Sequence, residues 1–314
     1  MEIDFIKCHG SGNEFVMVDA VEQDLSAVEW AGFARCACDR ERGIGADGLL
    51  VLVRVGAGNY GMRMFNPDGT EAEMCGNGIR CVARLAQKYE ASDTFSLVSG
   101  GREYAIARWK QLREGVATFG VRIPVRLWSD DFAMFARDEE CIARPIEALD
   151  GNLLFTAINV GNPHIVARVG RIDYDLLGRL GERVKQLRDV FPHGVNVSLA
   201  EVRSRNEIFV ATYERGAGIT ASCGTAMTSS ATAMALLGEC DFDRPIDVLN
   251  RGGMVRCICS REGGLATMLV GNATYEFFGR IAWGEGDFRF TTDRVCRAEQ
   301  RAYADFVNEL KQRV

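Results

Sequence analysis

The chain has 314 residues, of which 47% are hydrophobic and 25% charged, and its formal net charge is -6 at pH 7. This composition is ordinary for a folded protein, and the length suits two domains. The acidic balance, without a long run of one charge sign, argues against nucleic acid or anionic membrane as partner and favours a small molecule.

Strand-like and helix-like segments alternate along the chain without a low-complexity linker. β-Branched and aromatic content predicts strands at 15–18, 49–53, 62–65, 95–98, 116–123, 165–169, 208–213 and 266–270. Apolar residues at helical spacing follow Cys75 as far as Tyr89, and a second helix covers 226–237 and is closed by Gly238. The segment 297–314 has the pattern of an amphipathic surface helix, either docked at an edge or used as a dimer contact.

Targeting signals and cysteine usage bear on the compartment. Residues 1–7 carry charges where a signal peptide needs an apolar stretch, so we expect a cytoplasmic protein. Eleven cysteines, an odd number, fit free thiols in a reducing compartment better than a disulfide framework. Alternating strand geometry would bury the pairs Cys36 with Cys38 and Cys257 with Cys259 as small hydrophobes, each pair on one face, and we expect no metal site.

Four polar positions in the first half of the chain recur 148 or 149 residues later. The pairs are Asn13 with Asn162, Asp47 with Asn196, Asn66 with Glu214, and Cys75 with Cys223. A register kept across nearly half the chain predicts two similar domains. We expect 1–122 to form the first domain together with 276–314, and 123–275 to form the second.

The helix 226–237 contains no charged residue and is built from small side chains, so it should be covered on nearly all sides. The predicted fold class is therefore mixed α/β (α+β) with two pseudo-symmetric domains. Each domain would wrap a curved, mostly antiparallel sheet around a central helix, and the active site would lie in the cleft between them.

Each of the two repeated cysteines begins a Cys-Gly-polar triplet at a predicted helix start. The triplets are Cys75-Gly76-Asn77 and Cys223-Gly224-Thr225. A helix N-terminus favours the thiolate, and its unpaired N–H groups form a cradle for a carboxylate. If both cradles hold one carboxylate, one thiolate can remove the α-proton while the opposite thiol delivers a proton to the other face. This arrangement predicts racemisation or epimerisation, and no pyridoxal phosphate or metal motif accompanies it.

A glycine-rich segment, 43–48, has the spacing of a dinucleotide-binding fingerprint. The fingerprint requires a strand before the glycines and a helix after them, whereas here polar residues precede the glycines and a predicted strand follows. We therefore expect no Rossmann nucleotide site.

At these motifs the chain resembles the diaminopimelate epimerase family, pyridoxal-independent enzymes of lysine and cell-wall biosynthesis. The resemblance covers roughly residues 3–280. It rests on the segments 9–15, 43–48, 65–69, 74–78, 161–164, 195–197, 214–218 and 223–225.

The resemblance implies roles for individual residues. Cys75 and Cys223 would be the base and the acid. The residues that would bind the distal amino acid end of the substrate are Asn13, Asn66, Asn162, Asn196, Glu214 and Arg215. A guanidinium suits a carboxylate, while a carboxylate and amide oxygens suit an ammonium group. His164 either tunes a thiol or is a satisfied core histidine, and we interpret His9 and His193 as structural.

The leading hypothesis is cofactor-independent conversion of LL-diaminopimelate to the meso form, with a homodimer as the assembly that the resemblance suggests. Two alternatives remain. One is a racemase for another amino acid, such as histidine, because Ala226 and Met227 differ from the family pattern, from which Ile219 also departs. The other is a non-catalytic amino-acid-binding protein. A thiol-disulfide oxidoreductase is disfavoured because the chain has no Cys-x-x-Cys motif.

Overall fold

The fold was analysed in a computed structural model, which describes residues 1–23, 25, 28–56, 58–135, 139–284 and 287–311. The chain divides into two compact units, Met1–Val121 with Val270–Val314, and Arg122–Leu269. The second boundary follows Leu269, whereas the sequence placed it after residue 275. Both boundaries fall inside strands, where the hydrophobic pattern is continuous and gives no sign of a change. The assignment of 1–122 with 276–314 and of 123–275 as two domains remains a prediction.

The first half of the chain builds one sheet around one helix. Its elements are β1 (Glu2–Gly10), β2 (Asn13–Asp19), α1 (Trp30–Cys38), β3 (Gly48–Val55), β4 (Asn59–Phe65), β5 (Glu71–Ala72), α2 (Gly76–Ala86), β6 (Thr94–Ser99), β7 (Arg102–Arg108) and β8 (Thr118–Pro124). The pairs β1–β2, β3–β4 and β6–β7 are antiparallel, whereas β2–β3 and β4–β6 are parallel. Helix α2 packs on β1 to β4 and is buried except for Arg84.

The second half repeats this order of elements. They are β9 (Arg144–Ile146), β10 (Asp150–Asn159), β11 (Pro163–Val169), α3 (Tyr174–Gln186), β12 (Asn196–Ser204), β13 (Glu207–Glu214), β14 (Gly218–Thr220), α4 (Gly224–Leu236), β15 (Pro245–Asn250), β16 (Gly253–Ser260) and β17 (Ala266–Asn272). The pairs β10–β11, β12–β13 and β15–β16 are antiparallel, and β11–β12 and β13–β15 are parallel, as in the first half. The predicted mixed α/β fold, with a central helix in each repeat, is confirmed.

The C-terminal segment returns to the first unit. It consists of β18 (Thr274–Gly284), β19 (Asp287–Val295) and α5 (Arg297–Lys311). Strand β18 pairs antiparallel with both β1 and β19, and α5 packs on β18 with Phe306 and Leu310 buried. The predicted amphipathic helix is confirmed for Arg297–Lys311, and its last part, 312–314, lies outside the described residues.

The central helix α4 ends as its sequence predicts. Gly238 has a φ of 76°, and its N–H donates to the Ala235 carbonyl at 3.1 Å. The N–H of Glu239 donates to the Met234 carbonyl at 2.9 Å, which completes a Schellman cap. Although α4 is apolar, none of the described helices combines the length and hydropathy that a membrane span requires.

One prediction about the cysteine pairs is wrong. Cys36 and Cys38 lie in helix α1, so they do not share a face, and only Cys38 is buried. The helix has only nine residues, which is shorter than the window over which helical periodicity can be recognised, and the sequence analysis did not identify it. Cys257 and Cys259 do lie in a strand, β16, and both are fully buried.

Helix α3 approaches β13 so closely that it needs a glycine at one contact. A Cβ atom on Gly181 would lie 2.1 Å from Cγ of Tyr213, whereas one on Gly178, in the same helix, would meet nothing within 4 Å. We expect Gly181→Ala to lower the free energy of unfolding by about 1–3 kcal/mol, because the ring must move. The matched control Gly178→Ala should change it little, or raise it by up to about 1 kcal/mol. Urea titration of both variants measures the difference, and equal unfolding free energies would contradict this packing.

Candidate active site

Cys75 is the N-cap residue of α2. Its backbone is extended, with φ -137° and ψ 115°, and its Sγ accepts the N–H of Gly78 at 3.4 Å. The Oδ1 atom of Asn13 lies 3.8 Å from the same sulfur. The side chain is half-buried. The sulfur therefore occupies the position where an N-cap side chain meets the unpaired N–H groups of a helix.

Cys223 occupies the equivalent position at the start of α4. Its φ of -132° and ψ of 114° nearly match those of Cys75, as the repeat predicts. The Thr225 hydroxyl lies close to its sulfur, with Oγ1 3.4 Å from Sγ, and the Ala226 N–H and the Glu214 carboxylate also hydrogen-bond with the thiol. The two thiols thus share a backbone setting but differ in hydrogen bonding.

The thiols are less acidic than a helix N-terminus alone would make them. Burial raises the pKa of Cys75, although the N–H groups of Gly78 and Asn77 and the charge of Arg80 oppose that shift. Burial also raises the pKa of Cys223, and the Glu214 carboxylate adds to the increase. The N–H groups at each helix start do lower the pKa, but removing the thiolate from water outweighs that contribution at both cysteines.

Asn13 is held beside Cys75 by an ionic network. Its Nδ2 donates to Oδ2 of Asp47 at 2.9 Å, and the Glu14 N–H donates to the same oxygen at 2.9 Å. Arg40 bridges the two acids, at 2.7 Å from Asp47 Oδ1 and 3.0 Å from Glu14 Oε2. Burial opposes ionisation of Asp47, but these donors hold its pKa below the ordinary value. The repeat pairs Asp47 with Asn196, and this pairing is the sequence signal that could have identified Asp47 as a support of Asn13.

Arg80 is a second residue that the sequence analysis did not identify. It is fully buried one turn into α2. Its guanidinium donates to the Gly76 carbonyl at 2.8 Å, Asn77 Oδ1 at 2.9 Å, Ser11 Oγ at 3.1 Å and the Asn272 carbonyl at 3.3 Å. The available signal was a charged residue between Ile79 and Cys81, within the predicted helix. Arg80 fixes the Gly76–Asn77 segment and adds positive potential behind the N-terminus of α2.

Asn66 and Glu214 follow the repeat in three dimensions. Asn66 comes directly after β4 and donates from Nδ2 to the Thr70 hydroxyl at 2.9 Å. Glu214 ends β13, and its carboxylate accepts the hydroxyl proton of Thr220. Each side chain thus emerges at the end of a strand in the turn before a central helix, and both are partly exposed.

Asn162 connects His164 to the Cys223 triplet. The Nδ2 atom of Asn162 donates to Thr225 Oγ1 at 3.3 Å, and its Oδ1 lies 3.0 Å from His164 Nε2. Burial, followed by the charge of Arg215, lowers the pKa of His164 to about 3, so the imidazole is neutral at physiological pH. Its Nδ1 is buried and has no hydrogen-bond partner among the described residues.

Asn196 and Arg215 are adjacent in the second unit. The backbone N–H of Arg215 donates to Asn196 Oδ1 at 2.9 Å, and Asn196 Nδ2 donates to the Pro163 carbonyl at 3.1 Å. The guanidinium of Arg215 contacts the His193 carbonyl at 2.5 Å. The His193 ring lies 3.1 Å from Asp131 Oδ1, which agrees with its structural interpretation.

The departures from the family pattern lie mainly inside the second unit. Ala226 and Met227 are buried, and Met227 Sδ accepts Asn250 Nδ2 at 2.8 Å. Ile219 is 40% exposed. Met227 packs inside this unit, so its size is no reason to expect another substrate. Among the described residues, no group of three or more His, Cys, Asp or Glu side chains is arranged to hold a metal ion.

The contact between Glu214 and Cys223 gives a prediction about thiol reactivity. Glu214→Gln removes a negative charge that raises the pKa of the Cys223 thiol. The pKa should fall, and alkylation of Cys223 by iodoacetamide at fixed pH should become about three-fold faster or more. Cys75 is the internal control, since Glu214 is not among the groups that shift its pKa. Peptide mapping by mass spectrometry measures both rates, and an unchanged Cys223 rate would contradict the electrostatic assignment.

Comparison with known proteins extends the resemblance to nearly the whole chain. The family model described as diaminopimelate epimerase matches residues 5–112 and 156–276. The diaminopimelate epimerase of Clostridium acetobutylicum is 36% identical over 98% of this chain and 94% of its own length. That of Ligilactobacillus salivarius is 37% identical over 98% of this chain and 99% of its own length.

A solved structure shares the fold at low sequence identity. The phenazine biosynthesis protein of the PhzF family from Bacillus anthracis superimposes with a TM-score of 0.64 and 16% identity, over 90% of this chain and 100% of that one. This similarity supports the architecture, while the family model and the two enzymes establish kinship over the full sequence. The chain belongs to the diaminopimelate epimerase family.

Proposed function

We propose that the protein is an isomerase that converts LL-diaminopimelate to meso-diaminopimelate, for lysine and peptidoglycan synthesis, without pyridoxal phosphate. The observation that carries the proposal is the pair Cys75 and Cys223, two N-cap thiols at equivalent helix starts in a chain of this family. Inversion of a carbon centre requires a proton acceptor on one face and a donor on the other, and the repeat supplies one thiol from each half.

Each triplet, with the side chains around it, is one half-site of the proposed site. The reacting α-carboxylate would accept the backbone N–H groups of the two triplets, at Gly76, Asn77, Gly224 and Thr225. One cysteine, as thiolate, takes the α-proton while electrons flow into the carboxylate, and the other thiol returns a proton to the opposite face. The aligned N–H groups stabilise the added negative charge, and Arg80 contributes on the side of α2.

The distal end of the substrate would supply specificity and change the thiol acidity. Arg215 suits the distal carboxylate, and Glu214 suits the distal ammonium, with Asn13, Asn66, Asn162 and Asn196 as amide partners. An ammonium beside Glu214 offsets the negative charge that raises the pKa of Cys223. Substrate binding therefore favours the Cys223 thiolate, which links recognition of a second amino acid centre to activation at the first.

Further parts of the proposal follow from the chemistry of the thiols and from the resemblance. A reducing cytoplasm would keep the two cysteines from oxidising, and the described residues, which include all eleven cysteines, form no disulfide. The resemblance also supports a homodimer. His164 would act on Cys223 through Asn162 and Thr225, which form a continuous hydrogen-bonded series to the sulfur.

A substrate panel tests the proposal. The protein is incubated under reducing conditions in heavy water with LL-diaminopimelate and with L-amino acids that include histidine, and α-proton exchange is followed by NMR. We expect exchange with inversion for diaminopimelate alone. Exchange with another amino acid instead would favour the alternative racemase. If no amino acid of the panel shows α-proton exchange, the result would favour a non-catalytic binding protein.

Substitution of either cysteine tests whether the reaction needs both thiols. Cys75→Ser and Cys223→Ser should each lower epimerisation by at least about 100-fold, because the serine hydroxyl is a far weaker base than a thiolate. Thr232→Ser is the matched control, since it is also a small substitution to serine and lies in the buried part of α4. This variant should keep its activity. Turnover is measured by coupled assay of meso-diaminopimelate. Near-normal inversion by either cysteine variant would refute the two-base scheme.

A further inference from the structure

The C-terminal helix α5 lies beyond residue 276, where the family model ends, yet it reaches the support of the Cys75 half-site. The ring of Tyr303 packs edge-on against the ring of His9, with centroids 4.5 Å apart and an interplanar angle of 63°. Phe306, the next buried position of α5, has its ring 6.3 Å from that of Tyr303. His9 is at the end of β1, directly before the turn that leads to Asn13.

His9 holds this turn as a hydrogen-bond acceptor. Its Nδ1 accepts the Gly12 N–H at 3.4 Å and lies 3.3 Å from Nδ2 of Asn272. Asn272 also accepts the Ser11 N–H at 2.7 Å. Ser11 has a φ of 54°, a left-handed conformation that costs a non-glycine residue about 1 kcal/mol or more, so the turn depends on these bonds.

The turn determines where Asn13 and Arg80 lie. Asn13 begins β2 directly after the turn and brings its Oδ1 to 3.8 Å from Cys75 Sγ. The Ser11 hydroxyl accepts a hydrogen bond from Arg80 at 3.1 Å. A shift of the turn would therefore move two groups that contact the Cys75 triplet.

Helix α5 is fixed independently to the same helix that carries Cys75. The carboxylate of Glu299 accepts both terminal nitrogens of Arg84, a residue of α2, at 2.6 and 2.8 Å. It also accepts the Tyr275 N–H at 3.1 Å, and the Gln300 side chain donates to the Glu276 carbonyl at 2.8 Å. These bonds hold Tyr303 over His9.

We propose that Tyr303 is a positioning residue of the Cys75 half-site: it covers His9 so that Nδ1 stays an acceptor, which holds the Ser11–Gly12 turn and with it Asn13 beside Cys75. The importance of that position rests on the proposed function of Cys75, whereas the effect of Tyr303 on His9 does not. Tyr303 thus makes the C-terminal helix part of the active-site support.

The protonation state of His9 reports whether the Tyr303 ring shields its imidazole from water. Burial lowers the pKa of His9 to about 4. The charged and titratable groups that face it from the surrounding elements are Glu14 and Glu299, which raise the value, Lys7 and Arg80, which lower it, and Tyr303 itself. Removing the Tyr303 ring admits water, so the pKa should rise toward its ordinary value of 6.5. A protonated imidazole has two N–H donors, so Nδ1 can no longer accept the Gly12 N–H.

The experiment compares Tyr303→Ala with Tyr303→Phe, which keeps the ring, and with Asn308→Ala, an exposed position on the same helix. The His9 ring proton is followed by NMR against pH, which is practical because the chain has three histidines, and a His9→Gln spectrum assigns the signal. In Tyr303→Ala the His9 midpoint should move from about 4 toward 6.5, with both other variants unchanged.

Activity gives the second readout. The ratio of kcat in Tyr303→Ala to kcat in the unsubstituted protein should be about two- to three-fold lower at about pH 6 than at about pH 8, because one hydrogen bond is lost in the protonated fraction of His9, with KM little changed. Tyr303→Phe and Asn308→Ala should show the pH dependence of the unsubstituted protein.

Two results would overturn the inference. One is a His9 midpoint that stays near 4 in folded Tyr303→Ala. The other is a kcat loss that is the same at both pH values, which would indicate a general structural role. Tyr303→Leu takes the place of the alanine variant if that one does not fold. If the unsubstituted protein does not turn over diaminopimelate, the proposed function fails, while the NMR titration still decides whether Tyr303 controls His9.

Discussion

The start of a buried helix is the constraint on which each half-site depends. The first N–H groups of a helix have no partner inside it, and burying them without one costs several kilocalories per mole. In α2 and α4 the starts are buried, and the residue at each N-cap is a cysteine, whose sulfur interacts with the N–H groups of Gly78 and Asn77 in α2 and of Ala226 in α4. An anion that reaches such a start is stabilised by the aligned N–H groups. The carboxylate of an amino acid is the ligand that the proposed function places there.

The two half-sites share a topology but not a chemistry. Asn13 is held by a carboxylate, Asp47, which Arg40 neutralises, and a buried cation, Arg80, lies behind Cys75. The supports of Cys223 are neutral side chains such as Asn162, while the nearby charge is the acid Glu214. The electrostatic environment thus favours a negative charge more at Cys75 than at Cys223 in the free protein. A substrate with a distal ammonium would reduce this difference, since it compensates the charge of Glu214.

Features with a local or periodic signal could be predicted from the sequence. The repeat of Cys75 as Cys223 predicted two equivalent helix starts, and the uncharged run after Cys223 predicted a helix covered on all sides. Gly238 predicted the C-terminal cap because the position after a helix favours a residue that can adopt a left-handed conformation. Each of these inferences needed only neighbouring residues or a fixed offset.

Features that arise from distant contacts could not be predicted. Asp47 supports Asn13 because parallel strands β2 and β3 bring them together, and Arg80 meets Asn272 across 192 positions of sequence. The net thiol acidity could not be predicted for the same reason: the helix start is visible in the local sequence, whereas burial depends on everything packed around a sulfur. The link from Tyr303 to His9 joins the two ends of the chain, which no motif spans.

The central claim is that two thiols act on opposite faces of one carbon, and the isotope content of the first product tests it most directly. The protein is mixed with LL-diaminopimelate in heavy water, and the reaction is stopped at low conversion. Product and remaining substrate are separated as stereoisomers, and the deuterium content of each is measured by mass spectrometry. The account predicts one deuterium in the meso product and almost none in the remaining substrate, because the proton removed by one cysteine is not the one delivered by the other. Product that retains the substrate's own proton, or substrate that exchanges faster than product forms, would show that a single base serves both faces.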